Sequence, residues 1–581
     1  MIETTQARFR RGLLVRPRPY TRSDLRRDLT AGLTVGMLCV PQSMAYALLA
    51  GLPPVYGLYA ALIPLILYAI FGSSPHVSIG PTALAALLCL NGLTEMGLVP
   101  QTDTFITYAV LLAFVAGVFQ FLLGLFRLGA LVSFLSRPVI SGFTSAAAIL
   151  IVMSQMKYLF GIPVARGEYF HNDSWNLLLA LPQMGWRTPL ISAVCLALLA
   201  ALKKWRPNWP ASLYVILISL PAAWLLGLDE VGVQVVGHIP SGLPKLLVPA
   251  WDTNLLKALL PAAGIIALIS TVETLAIGKT FEAKHEYYRV QANRELIALG
   301  LTKMVGAVFQ GFPTSASFSR SAVAEAGGAR SGFVSLFAAG VILVALLLLT
   351  GIFYYLPLPA LAAVIIMSVR NLFDAKEMVR LWKFDRAEFA TLMATLLITV
   401  FGGLQFGIGA GLLLSLAIII LRNARPHIAE LGRLPGTNYY RNIDRFVDLE
   451  VPADTLVLRF DSELNFANAE YFRDAVEARI KGRGKELRLI VLDCSSIHSL
   501  DSTGAFVLER LIGKVQAGGI AFYLSGAIGP VRDNLFRTGL MEQIGADHQF
   551  LDIPEAIRYF HDDPLRRDWS APAVQTNHRN Q

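Results

Sequence analysis

Apolar runs dominate this chain from residue 28 to residue 422, broken at short intervals by Gly, Pro or charged residues. About fourteen such runs separate, where hydropathy alone allows twelve to fourteen: 28–51, 55–71, 79–96, 104–126, 137–158, 187–202, 211–228, 257–278, 294–310, 316–327, 332–355, 358–370, 387–402 and 405–422. Most approach the ~20 residues that a helix needs to cross a bilayer. Beyond residue 425 the pattern shifts to the alternating and helical periods of a soluble domain. There Thr455–Phe460, Leu487–Leu492 and Ile520–Leu524 read as strands. Asn468–Ile480, Ser502–Val515, Gly529–Thr538 and Pro554–Phe560 read as helices. The expected organisation is a basic segment at 1–27, an all-α membrane domain at 28–424, a linker at 425–440, an α/β domain at 441–565 and a disordered tail at 566–581.

Runs three and ten differ from the others. Both are short and both open on chain breakers, Ser78-Ile-Gly-Pro-Thr82 and Pro313-Thr-Ser-Ala-Ser317. They lie seven runs apart, so they hold equivalent places in a seven-plus-seven repeat. Interrupted segments at matching positions of two halves point to a binding site near the membrane midplane.

Composition agrees with a polytopic membrane protein: of 581 residues, 54% are hydrophobic and only 16% charged, with a mean hydropathy of +0.54. Eight arginines crowd the first 27 residues, and the apolar run behind them is too long for a cleaved signal. Counting on from a cytoplasmic N-terminus, Lys and Arg number fifteen in the inner loops and four in the outer ones. That bias keeps the N-terminus inside, and an even number of spans returns the C-terminal domain to the same side. The reading is a multi-pass protein of the cell membrane. Its net charge of +9 belongs to topology and lipid contact rather than to nucleic acid. Cys39, Cys89, Cys195 and Cys494 are scattered and suggest neither a disulfide framework nor a metal site.

The chemistry concentrates at Arg320. A cation at membrane depth is costly and usually faces a partner charge, a cavity or a substrate path. Thr314, Ser315, Ser317, Ser319 and Ser321 surround it in sequence. Two helix N-termini facing each other contribute roughly half a positive charge each, and Arg320 brings the pocket to about +2, suited to a divalent oxyanion. Glu273, midway along run eight, is the second intramembrane charge. Ionised, it cuts the pocket to about +1, and a proton on it restores about +2. An anion would then favour proton binding and the proton would favour the anion. The alternative is a packing salt bridge between Glu273 and Arg320. Asn91, Gln120, Gln155 and Lys303 read as polar groups that satisfy nearby backbone or sit near an interface.

Four motifs follow in order: Pro41-Gln-Ser-Met-Ala-Tyr46, Pro53-Pro-Val-Tyr-Gly-Leu-Tyr59, Phe71-Gly-Ser-Ser-Pro-His-Val-Ser-Ile-Gly-Pro81 and Ser317-Phe-Ser-Arg-Ser-Ala-Val323. Together they resemble the sulfate permease (SulP) family. Asn465-Phe-Ala-Asn-Ala-Glu-Tyr-Phe472 and Leu500-Asp-Ser-Thr-Gly504 resemble the STAS domain that ends these transporters. One departure is Pro75, which stands where the family usually carries a basic residue. The resemblance implies fourteen helices in two inverted repeats, divided into core and gate as in uracil permeases, in a homodimer that moves by an elevator-like motion. It implies an anion site at Ser319 and Arg320, lined also by Gln42, Tyr46 and Thr82; Ser317 belongs to the same motif.

The expected function is proton-coupled uptake of an inorganic anion, sulfate first, with no cofactor and no enzymatic activity. Sodium is disfavoured: the family's sodium-dependent bicarbonate branch has a hydroxyl one turn after the run-eight carboxylate, where this chain has Ile277. Bicarbonate or a C4-dicarboxylate is the alternative substrate. An anion sensor and an uncoupled exchanger or channel are the alternative classes. In the STAS segment, Ser502 and Thr503 open a helix where related anti-sigma antagonists are phosphorylated, which would suit a regulatory partner. The plainer reading is that Ser502 caps that helix.

Overall fold

The computed structural model describes residues 20–129, 136–164, 170–205, 211–247, 253–285 and 287–562. The expected tail at 566–581 and most of the basic segment before residue 20 lie outside them. The chain forms two units, 1–415 and 416–581.

In the first unit every expected run is a helix. In chain order these are α1 (Arg22–Leu49), α2 (Val55–Phe71), α3 (Ala83–Thr94), α4 (Asp103–Leu125), α5 (Arg137–Phe160), α6 (Phe170–Ala180), α7 (Arg187–Trp205), α8 (Ala211–Leu225), α9 (Thr253–Glu282), α10 (Ala292–Val308), α11 (Phe318–Ala326), α12 (Phe333–Val344), α13 (Leu358–Val369), α14 (Ala375–Phe384), α15 (Arg386–Gly402) and α16 (Leu404–Ala424). Two of them, α6 and α14, are additional short helices outside the fourteen runs. Among the described residues six helices, α1, α4, α5, α7, α9 and α16, are long and apolar enough to cross a bilayer on their own. α1 starts earlier than the expected residue 28. Thr21 and Asp24 build a capping box, each side chain bonding the other's backbone N–H, and that fixes the helix start among arginines.

Helix packing divides the unit into two groups. α1 packs on α2, α11 and α12; α2 packs on α10 and α12; and α4 packs on α9 and α10. The other group joins α5 to α7, α13 and α15, with α8 on α7 and α13. This matches the expected core and gate. α3 and α11 are short because each is preceded by a two-residue strand, β1 (Ile79–Gly80) and β2 (Ser315–Ala316), and these pair antiparallel inside the core group.

The second unit is an α/β domain. Its sheet runs β3 (Ile428–Arg433), β4 (Tyr440–Asn442), β5 (Thr455–Phe460), β6 (Leu489–Asp493), β7 (Ala521–Ser525) and β8 (Gln549–Phe550), in the order β4-β3-β5-β6-β7-β8. β5 through β8 are parallel, while β3 is antiparallel to both its neighbours. Helices α17 (Ala469–Arg483), α18 (Ser502–Ala517), α19 (Gly529–Arg537) and α20 (Leu540–Ile544) cover one face, and α21 (Ile553–His561) packs on the other. The segment expected as a linker at 425–440 is a correction: Ile428–Arg433 is a sheet strand, with Ile428 and Leu431 buried on opposite faces. A charged strand buried partly on both faces lacks the clean alternation that marks an exposed one.

Candidate functional site

β1 and β2 bring the starts of α3 and α11 together. Gly80 pairs with Ser315 and Ile79 with Ala316. The Ser317 N–H donates to the Ser78 carbonyl at 3.0 Å, and the Ser321 hydroxyl accepts from the Ser78 N–H at 3.0 Å. Each half-helix is then capped by its own hydroxyl: Thr82 accepts from the Ala85 N–H and Ser317 accepts from the Arg320 N–H. Two sets of free backbone N–H groups therefore open beside one short ribbon, the arrangement that favours an anion.

Arg320 is fully buried. Its Nη1 donates to the Pro81 carbonyl at 2.9 Å, so the guanidinium reaches across to the start of α3, next to Thr82. Nε and Nη2 have no protein acceptor among the described residues. The Gly80 position is close to this group, since a Cβ there would lie 3.2 Å from Nη2. Ser317 and Ser319 hydroxyls lie 3.2 Å apart beside it, with Ser317 buried and Ser319 exposed.

Glu273 sits on α9 behind the ribbon. It accepts from the Ser315 hydroxyl at 2.5 Å, and it forms no ion pair with Arg320 among the described residues. The salt-bridge alternative is thus not what the geometry holds: Arg320 turns to Pro81 and Glu273 turns to Ser315. Lys303 on α10 is a second buried charge beside Arg320 and acts on the half-buried Glu273 electrostatically. Its Nζ donates to Gln120 Oε1 at 2.8 Å, and Gln120 Nε2 in turn donates to the Ala267 carbonyl and the Ser270 and Thr271 hydroxyls of α9. Gln120 satisfies backbone as expected, but Lys303 is tied to the carboxylate's own helix.

Tyr46 is buried on α1 and feels the charges of both Arg320 and Glu273. Gln42, one turn before it, is also buried, and its Oε1 has no protein partner among the described residues. Thr314 Oγ1 and Ser78 Oγ are buried and unpartnered in the same way. Ser315 and Lys303 are the residues that the sequence reading left out of the site. Ser315 was legible in the hydroxyl cluster around Arg320. Lys303 carried a signal too, because an ammonium in an apolar run is itself a functional pointer. Away from this group, the buried acids Glu295 and Asp28 lock loops. Glu295 holds the Ser73 N–H and hydroxyl and the Tyr68 hydroxyl, and Asp28 holds the Arg330 and Ser331 N–H groups.

In the second unit Ser502 and Thr503 are exposed at the start of α18. Asp501 caps that helix by accepting from the Gly504 N–H at 2.7 Å, and its other oxygen takes the Phe466 N–H at 2.8 Å. The cap is therefore Asp501 rather than Ser502, which leaves the Ser502 side chain outside that role.

A doubled helical membrane unit with paired half-helices and a buried cation, followed by an α/β domain, defines a multi-pass anion transporter with an appended soluble domain. The chain matches the sulfate permease family over residues 25–395 and the STAS domain over 446–556, and it belongs to that family. It is 35% identical over 546 residues to sulfate transporter 4.1, chloroplastic, of Arabidopsis thaliana, covering 91% of this chain and 79% of that protein. It is 34% identical over 548 residues to the probable sulfate transporter Rv1739c of Mycobacterium tuberculosis (strain ATCC 25618 / H37Rv), covering 94% and 97%. Among solved structures, the murine Solute Carrier 26 family member A9 anion transporter in the inward-facing state superposes with a TM-score of 0.85 at 25% identity, covering 93% of this chain and 92% of that one. The transmembrane domain of the cyanobacterial bicarbonate transporter BicA shares the fold with a TM-score of 0.58 at 20% identity, over 70% of this chain and all of that one.

Proposed function

We propose that this chain takes up sulfate together with protons, by moving the core group, with its anion site, past the gate group in an elevator-like step within a homodimer. The termini and the STAS domain lie on the cytoplasmic side in this reading. The observation that carries it is the Arg320 guanidinium, buried between two capped half-helix starts with two nitrogens that have no protein acceptor among the described residues. A tetrahedral dianion meets both needs: it accepts from Nε and Nη2 and from the helix-start N–H groups. Ser317, Ser319, Thr82, Gln42 and Tyr46 supply the polar wall.

Glu273 carries the coupled proton. With Glu273 ionised, Lys303 balances it, and the pocket keeps about +2 from Arg320 and the two helix starts. Protonation leaves the Lys303 charge uncompensated and raises the pocket to about +3, so a dianion and a proton draw each other in. The Ser315 hydroxyl links Glu273 to β2 and hence to the anion-binding backbone. The names of the curated relatives favour sulfate over bicarbonate or a dicarboxylate.

Uptake of labelled sulfate by proteoliposomes, with and without an inward proton gradient, tests the reading. The expected result is accumulation driven by the pH gradient alone. Competition by other tetrahedral dianions and not by bicarbonate is expected alongside it. Binding without flux would leave a sensor, and flux indifferent to the proton gradient would leave an uncoupled exchanger or channel.

A further inference from the structure

Each half of the membrane unit carries one short helix between spans. α6 follows the fifth of the fourteen spans and α14 follows the twelfth, so they are counterparts in the seven-plus-seven repeat. Inversion sets counterparts at opposite faces of the bilayer, α14 on the side assigned here to the cytoplasm. Both pack on the gate group, α6 against α5 and α15 and α14 against α15, away from the helices that build the anion site.

The two differ in charge. α6 has no Lys or Arg, and it exposes Trp175, Leu178 and Leu179. α14 carries Lys376, Arg380 and Lys383 at i, i+4 and i+7, one exposed stripe along the helix. Only Leu381 is buried on α14. Val379, Trp382 and Phe384 flank the stripe at 57%, 49% and 82% exposure. Trp382 packs edge-on against Phe389, and the Arg386 guanidinium lies 3.8 Å from its ring centre. Arg380 pairs with Glu377 at 2.9 Å, while Lys376 and Lys383 extend the stripe at either end. Apolar side chains flanking a row of cations, with a tryptophan among them, form the pattern of a helix lying in a membrane interface.

We infer that α14 is an anchor for anionic phospholipid on the inner leaflet, with Lys376, Arg380 and Lys383 on the headgroups and Val379, Trp382 and Phe384 among the upper acyl carbons. α6, which carries Asp173 and no Lys or Arg, seats the gate in the outer interface without that selectivity. Acidic lipid concentrates on cytoplasmic leaflets, so the charge difference between the counterparts matches the two surfaces they meet. A gate held at both faces would stay in place while the site-bearing group moves. The inference rests on the proposed orientation of the chain but not on its substrate or its proton coupling.

The test is lipid selectivity at the protein boundary, which needs no transport. Full-length protein is reconstituted in phosphatidylcholine bilayers containing spin-labelled phosphatidylglycerol or spin-labelled phosphatidylcholine, and the motionally restricted fraction of each is measured. The native chain is expected to enrich phosphatidylglycerol at least about twofold at low salt, with loss of the enrichment at high salt. A Lys376→Gln, Arg380→Gln, Lys383→Gln variant is expected to lose most of it, and a Lys376→Arg, Lys383→Arg variant to keep it. An unchanged melting temperature shows that the triple variant folds. If the triple variant keeps the native selectivity, the stripe faces something other than lipid, such as the STAS domain, and the proposal fails.

Discussion

Thr82 opens α3 and Ser317 opens α11 in the same way. Each follows a two-residue strand of one ribbon, takes an extended backbone and accepts from the N–H three residues on. The third residues differ: Ala85 on α3 and Arg320 on α11. The residues across the ribbon differ too, since Gly80 leaves room for the guanidinium while Ser315 binds Glu273. The repeated backbone supplies two matched sets of N–H donors, and the unmatched side chains supply a fixed cation on one side and a titratable acid behind it. Symmetry makes the cradle for an anion, and its breaking gives that cradle a charge and a proton switch.

The comparison breaks most severely at Arg320. Arg320→Ala leaves the backbone cradle intact and removes the full charge, so sulfate uptake is expected to fall at least about a hundredfold, to background. Labelled uptake in proteoliposomes reads this. Substantial uptake by the alanine variant would mean that the two helix starts suffice and the asymmetry is incidental. Next comes Gly80→Val. A Cβ at Gly80 already stands 3.2 Å from Nη2, and the guanidinium is tethered to the Pro81 carbonyl. The branched side chain must push it off line, with uptake expected to drop about tenfold or more. The variant's melting temperature separates this from unfolding.

Glu273→Gln tests the other unmatched side chain. The native protein is expected to take up sulfate faster as external pH falls, because the protonated carboxyl strengthens the pocket. The glutamine variant mimics the protonated state, keeps the Ser315 contact and should run at a rate that no longer varies with pH between about 5 and 8. An unaltered pH profile would remove Glu273 from the coupling.

Much of this asymmetry could be read before any coordinates. Arg320 and Glu273 announced themselves as charges in apolar runs, and the breakers at Ser78–Thr82 and Pro313–Ser317 marked the half-helices. The apolar runs located the helices because each must shed its apolar surface against lipid or against its neighbours. They did not give the contacts. That Arg320 reaches Pro81 and not Glu273 depends on how two remote turns pack, and nothing in local spacing encodes it. Lys303 was passed over because it lies near the middle of a mixed run, whereas its role depends on Gln120 from α4. The strand β3 was hidden by its charged residues Glu430 and Arg433. The short helix α14 was read as part of an inner loop because ten residues cannot span a bilayer.

The smallest effects belong to the caps, where the halves are most alike. Thr82→Ala and Ser317→Ala each remove one side-chain acceptor from a helix start, and each is expected to cost about 1 kcal/mol of stability. Thermal unfolding of the two purified variants should therefore shift by similar amounts. Uptake should not. Ser317 bonds the backbone of Arg320 and lies beside Ser319, so its loss loosens the charged half of the site, while Thr82 serves only the neutral half and the Pro81 side of the ribbon. A few-fold larger loss of uptake for Ser317→Ala than for Thr82→Ala is expected. Equal losses would mean that both helix starts hold the anion alike and that Arg320 sets the field of the pocket as a whole rather than one side of the contact.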